Sequence, residues 1–186
     1  MGRGIILVNK DDDLTTVKKL LIEDDYLLEE CIVNDEEIKK LNPSSLNTFR
    51  AYTHITNEGD AVLDELMLRV GKAGNHVDNW GQGGIGYYID LESGIVTKPG
   101  LDKDMHEHLY HPGSNIQMIG YRIERIEELK NYILSLARSH PAARVVGWDV
   151  ALTPKGFDFI EFNCPGGHDF LQAFGKPFWD VFKKIR

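Results

Sequence analysis

Cysteine is scarce in this chain, and positive charge is nowhere concentrated. The 186 residues hold two cysteines, Cys31 and Cys164, and no CxxC pair. That excludes a disulfide framework and any zinc site of familiar cysteine spacing, and it fits a reducing compartment. The net charge is −8, with no run of Lys or Arg to offset it. Nucleic acid is therefore not expected as the main partner. An acidic protein that binds a polyanion must focus positive charge locally or supply a metal. No apolar run reaches the roughly 18 residues that would nominate a membrane span. The start, Met1-Gly2-Arg3-Gly4-Ile5, has no signal-peptide apolar stretch, so the expected location is cytoplasmic. Internal repeats and low-complexity tracts are missing too.

What is present is globular. Hydrophobic residues make up 42% and charged residues 27%. A chain of this length buries about 70% of its unfolded surface, and 1–186 is expected to be a single domain. Asp11, Asp12 and Asp13 offer N-caps for a helix whose apolar stripe is Leu14, Val17, Leu20 and Leu21. Ile5 to Val8 and Tyr26 to Val33 read as strands. Asp35 caps a short helix from Glu36 to Leu41. Thr48–Thr56 and Val62–Val70 read as strands joined by a turn at Asn57-Glu58-Gly59-Asp60. A glycine-rich segment runs from Gly71 to Gly86. Tyr87–Asp90 and Ile95–Thr97 form a hairpin around Glu92-Ser93-Gly94, and Lys98 to Gly120 is a long polar loop with three histidines. Ile123, Ile126, Leu129, Ile133 and Leu136 recur at helical spacing, and His140-Pro141 ends that helix. A second hairpin and a C-terminal helical segment broken near Pro177 follow. Helices mixed with hairpins give an α+β class with a mainly antiparallel sheet.

The second hairpin, Gly147 to Asn163, is the most informative stretch. Pro154 suits the first central position of a type I turn, and Gly156 suits the left-handed position that closes a three-residue loop. Counting outward, Thr153 faces Phe157, Ala151 faces Phe159 and Asp149 faces Glu161, with Asn163 on the same face two residues on. Trp148, Val150, Leu152, Ile160 and Phe162 take the other face and read as core. Facing carboxylates repel unless a cation lies between them. Two carboxylates and an amide oxygen form a hard-oxygen set that suits Mg²⁺. The alternative is a solvated polar face with one carboxylate bonded to Lys or Arg.

Other stretches are weaker signals. Gly2-Arg3-Gly4 before a strand reads as a phosphate-covering loop or as a flexible terminus. Glu29-Glu30-Cys31-Ile32 leaves a strand, where backbone groups could read an adenine edge. Asn75 to Gly86 gathers two asparagines, Gln82 and four glycines beside Arg69, which could stabilise a phosphoryl group; a surface loop with an exposed Arg is the alternative. Arg50 could be a second anion anchor. His106, His108 and His111 match no helical zinc motif, and a solvated loop is the favoured reading. Trp80 and Trp148 could serve a carbohydrate-binding module as stacking platforms, but the hairpin register puts Trp148 in the core.

Taken in order, these pieces resemble the C-terminal half of an ATP-grasp enzyme, closest to the sugar-transfer-associated group. Glu29-Glu30-Cys31-Ile32, Ser44 to Arg50, Arg69 with Val77 to Gly84, Gly147-Trp148-Asp149-Val150, and Glu161-Phe162-Asn163 with Pro165-Gly166 carry the resemblance. It implies an ATP- and Mg²⁺-dependent ligase, in which a carboxylate attacks the γ-phosphate and an amine or similar nucleophile displaces phosphate from the acyl phosphate. Polysaccharide or sugar-linked biosynthesis is the implied setting, and a nucleotide and a small carboxylate are the implied partners. By the same resemblance Asp149, Glu161 and Asn163 hold magnesium. Glu29, Cys31 and Ile32 line the adenine pocket, Glu36 or Glu37 lies near the ribose, and Gly2 and Gly4 belong to the phosphate loop. Arg69 stabilises phosphoryl oxygens, and Asn79, Gly83 and Gly84 shape the acceptor side. A homo-oligomer is compatible with this reading. Such enzymes carry an N-terminal domain and a lysine strand before the glycine-rich loop, and Met1 stands where that loop begins. The expectation is therefore a truncated domain, weak or inactive alone, or a non-catalytic remnant that binds nucleotide or metal.

Overall fold

The structure is a computed structural model that describes residues 8, 11, 13–23, 27–72, 80–166, 172–175, 180 and 183. The chain divides into two compact units, Met1–Cys31 and Ile32–Arg186. In the first, helix α1 spans Leu14–Glu23. Asp13, the last of the three candidate caps, accepts the Thr15 N–H at 2.9 Å, which satisfies one of the donors a helix start leaves open. The strand expected from Ile5 lies outside the described residues except for Val8.

The second unit is built on one seven-stranded sheet in the order β5-β4-β3-β2-β1-β6-β7. The strands are β1 (Thr48–Ile55), β2 (Ala61–Val70), β3 (Ile85–Ile89), β4 (Gly100–Leu101), β5 (Glu107–His108), β6 (Val145–Thr153) and β7 (Gly156–Asn163). Every pairing is antiparallel, so the fold is α+β with a mainly antiparallel sheet, as the sequence pattern predicts. Helix α2 (Glu36–Lys39) is capped by Asp35, which accepts the Glu37 N–H at 3.0 Å.

Helix α3 (Ile126–Ser139) lays Ile126, Leu129, Ile133 and Ala137 on one face of the sheet. There they meet Phe49 and Ala51 of β1, Leu66 and Leu68 of β2, and Val146, Trp148 and Val150 of β6. Burying each large aliphatic side chain contributes roughly 1.5–3 kcal/mol. That packing, more than propensity, holds a helix this short. Gly94 makes the approach of α3 possible: a Cβ there would lie 2.9 Å from Ile126 Cβ.

Two expected features differ. Residues 27–33 lie in neither helix nor strand, and Leu27 and Leu28 are exposed. Their β-forming composition finds no partner strand among the described residues, and a strand without a ladder is not stable. The Lys98–Gly120 segment is not a wholly solvated loop. It supplies β4 and β5, and it buries Met118 and His111 completely. The C-terminal helical segment near Pro177 lies mostly outside the described residues.

The second hairpin keeps the predicted pairing of Asp149 with Glu161 but reaches it by another route. Thr153 pairs with Gly156, so only Pro154 and Lys155 form the loop, and Ala151 pairs with Asp158. A bulge between Asp149 and Val150 then restores the register. Trp148 is buried as expected, but Phe162 is not core: it is 45% exposed. Strand β7 is the sheet edge, and the Phe162 ring is covered only in part, by Trp148, His140 and Phe159.

Candidate functional site

The face of the sheet opposite α3 carries the polar chemistry. Alternation along β1 puts Thr48, Arg50, Tyr52 and His54 there. The ladders then place Arg50 directly across from Asp149 on β6, and Thr48 across from Arg69 on β2. The three charged side chains meet. Arg50 grips Asp149 as a fork, Nε donating to Oδ1 at 2.5 Å and Nη2 to Oδ2 at 2.9 Å. Arg69 Nη2 reaches the same Oδ2 at 2.9 Å. Thr48 Oγ1 orients Arg69, accepting from Nε at 3.1 Å and from Nη2 at 2.7 Å.

This cluster is sheltered. Asp149 is 2% exposed, and the Arg50 and Arg69 side chains are 12% and 15% exposed. Burial works against the Arg50 charge, yet the Asp149 carboxylate more than compensates and raises its pKa. Burial raises the Tyr52 phenol as well, against the lowering contribution of Arg50. Two guanidinium groups thus converge on one carboxylate, while Glu65, across from Tyr52, and Glu161, across from Asp149, add negative charge to the same face.

Glu161 and Asn163 sit at the rim. Asn163 Nδ2 lies 3.4 Å from Glu161 Oε1, and Glu161 is exposed. The three oxygen-bearing residues thus lie on neighbouring strands, but Asp149 turns both oxygens to arginines. The cation that relieves the facing carboxylates here is guanidinium. Glu161 and Asn163 carry oxygen donors of the kind magnesium takes, with Asn163 turning its amide nitrogen to Glu161 in this arrangement. Beyond Asn163 the chain folds back against β6: a Cβ on Gly166 would lie 2.9 Å from the Gly147 nitrogen.

The remaining predicted residues are scattered. Glu29 and Cys31 are exposed, and Ile32 is half-buried. Glu36 is exposed and bonds Lys39 at 3.1 Å. Its neighbour Glu37 differs: burial raises its pKa against a hydrogen bond from the Glu124 N–H, and with Lys40, Tyr121 and Arg122 it lines an open groove of about 530 Å³. That groove includes none of Arg50, Arg69, Asp149 or Glu161. Gly2, Gly4 and Asn79 lie outside the described residues. Gly83 closes the turn after Trp80–Gln82 with φ +97°, and Gly84 precedes β3.

The histidines separate. His111 is fully buried, with Nε2 3.1 Å from the Gly71 carbonyl, so the solvated-loop reading fails for it. Trp148 is buried too and donates to Thr53 Oγ1 at 2.7 Å, which removes it as a stacking platform. Sequence reading missed Tyr52, Glu65, Tyr88 and the buried pair His54–Asp64, whose Nδ1 and Oδ2 are 2.7 Å apart. Counting by twos from Arg50 along β1 would have found Tyr52 and His54. The cross-strand partners needed the register.

Among the described residues, no helix is long and apolar enough to cross a membrane. The family model described as sugar-transfer associated ATP-grasp matches residues 2–176. Comparison with curated proteins finds no match, and neither does comparison with solved structures.

Proposed function

The chain belongs to the sugar-transfer associated ATP-grasp family, and from that premise we propose that it is an ATP- and magnesium-dependent ligase joining a carboxylate to an amine or similar nucleophile. The reaction would pass through an acyl phosphate, in polysaccharide or sugar-linked biosynthesis. The observation that carries this reading is the Arg50–Asp149–Arg69 cluster on the open face of the sheet. Arg50 and Arg69 present donors to phosphate oxygens from a preorganised, partly desolvated position, the arrangement that stabilises charge on a transferring phosphoryl group. Asp149 fixes both guanidinium planes while no phosphate is near. Phosphate oxygens compete for the same forks, and an arginine drawn to them releases an Asp149 oxygen towards the rim.

Glu161 and Asn163 are the residues that would hold magnesium, joined by Asp149 once it is released. The ion would neutralise phosphate charge there. Glu29, Cys31 and Ile32 are assigned to adenine, Glu36 or Glu37 to the ribose, Gly2 and Gly4 to the phosphate loop, and Asn79 to the acceptor side.

Calorimetric titration of ATP with and without Mg²⁺, into the wild type and Asp149→Asn, tests the reading. Magnesium-dependent binding that the substitution weakens is the expected result. No heat and no melting shift with ATP would sink nucleotide binding. Hydroxylamine trapping then tests the chemistry: a hydroxamate formed only with ATP and a carboxylate supports the acyl phosphate. Binding without any hydroxamate points instead to a non-catalytic nucleotide-binding domain.

A further inference from the structure

We propose that Asp102, Asp104 and His106, with His108 beside Asp102, bind a divalent transition-metal ion of the zinc, cobalt or nickel kind. The site is a separate one. It lies at β5, the sheet edge opposite β7, with β4, β3, β2 and β1 between it and β6. It does not depend on the nucleotide reading.

A tight turn assembles it. The Met105 N–H bonds the Asp102 carbonyl at 3.1 Å, and Met105 takes φ +66°, which brings His106 back over Asp102. Asp102 Oδ1 then accepts the N–H groups of Asp104 and His106, both at 2.9 Å. Those two bonds fix the carboxylate plane and aim Oδ2 the other way. His106 Nδ1 and His108 Nε2 each lie 3.2 Å from that single oxygen. Strand β5 supplies His108 at its end, where pairing with Gly100 holds the backbone.

One ligand atom each from Asp102, Asp104 and His106 lies within 4.8 Å of the other two, close enough for one ion to draw them together at zinc–ligand distances of about 2.0–2.2 Å. Imidazole nitrogens mixed with carboxylate oxygens suit borderline ions, whereas magnesium and calcium prefer oxygen alone. Asp104 pairs with Lys103 at 2.8 Å; exposed pairs of this kind are weak and yield readily. With His106 72% exposed, a position on the ion stays open to water.

Cobalt titration of the tag-free full chain, followed by zinc displacement, tests the proposal. One equivalent of Co²⁺ should give the intense visible absorption of a four- or five-coordinate ion, and zinc should abolish it. Asp102→Asn, His106→Gln and His108→Gln should each weaken binding by about tenfold or more. His140→Gln should leave it unchanged, as should magnesium or ATP. Asp102→Asn could disturb the turn; His106→Gln changes an exposed ring and decides the matter if its melting curve is wild-type. A spectrum that stays that of the hydrated ion would overturn the proposal, as would equal binding by wild type and His106→Gln.

Discussion

The two strands of the second hairpin lie side by side and inhabit different environments. All nine residues of β6 are buried, whereas none of the eight in β7 is. Strand β6 is flanked by β1 and β7; β7 has one neighbour. Register decides that Asp149 faces Glu161, but sheet order decides what each becomes. Asp149 is held by two arginines in a sheltered cluster, and Glu161 meets solvent beside Asn163. One acid is tied to the face by two arginines, and its partner is open to solvent.

The largest expected effect breaks the buried side. Asp149→Ala leaves two guanidinium groups close together with their shared counter-charge gone. Removing one partner of a buried ion pair costs about 3–5 kcal/mol. Glu161→Ala, at the exposed edge, should stay within about 0.5 kcal/mol of wild type. Urea denaturation of the two variants checks this. Equal losses would mean that the edge acid is as structural as the central one.

The same contrast explains what the sequence could and could not reveal. Local alternation correctly pairs Asp149 with Glu161 and buries Trp148, because both depend on period-two geometry and turn chemistry near Pro154. The loop is shorter than the turn residues suggest: Thr153 pairs with Gly156, and a bulge that leaves Ile160 without a cross-strand partner in the ladder compensates. Ile160 is as apolar as Phe159 before it, so nothing local marks the bulge. The exposure of Phe162 was illegible for a different reason. It follows from β7 being the edge, and sheet order is a property of the whole chain. The sequence marks Arg50 and Arg69 as anion anchors, but their shared hold on Asp149, 99 positions beyond Arg50, follows from sheet order, which no local pattern carries. Residues 27–33 show the converse: good strand composition, with no partner strand among the described residues, makes no strand.

A second test carries the comparison to the histidines. His111 is buried, and its Nε2 faces a carbonyl that can only accept, so that nitrogen carries the hydrogen. Its Nδ1 accepts the N–H groups of Gly113 at 3.3 Å and Ser114 at 3.4 Å. A second proton would oppose both. Burial lowers the His111 pKa, the Gly71 carbonyl works the other way, and His108 adds a further lowering. The unfolded imidazole takes its proton near pH 6.5. The unfolded chain thus binds more protons just below that value, and stability falls with pH there. His111 contributes fully above about pH 6.5 and progressively less as pH drops through its folded value. Melting temperatures at pH 7.5 and 5.5 should differ less for His111→Gln than for wild type. A difference that His111→Gln leaves unaltered would place the pH sensitivity elsewhere.

The smallest structural change is the sharpest functional test of the rim. Glu161→Gln keeps the volume and the strand and removes one charge. On an exposed edge strand its cost in stability should be within about 0.5 kcal/mol. If Glu161 helps to hold the ion that accompanies ATP, the same change should lower magnesium-dependent ATP affinity by about tenfold, equivalent to about 1.4 kcal/mol. Affinity without magnesium should hardly move, because Arg50 and Arg69 are untouched. Asp149→Asn would lose affinity under both conditions, since the arginines lose their orientation. Calorimetry on the two variants, each with and without Mg²⁺, therefore separates an acid that meets the ion from an acid that arranges the cations. Parallel losses in all four titrations would erase that distinction and leave the hairpin with one function instead of two.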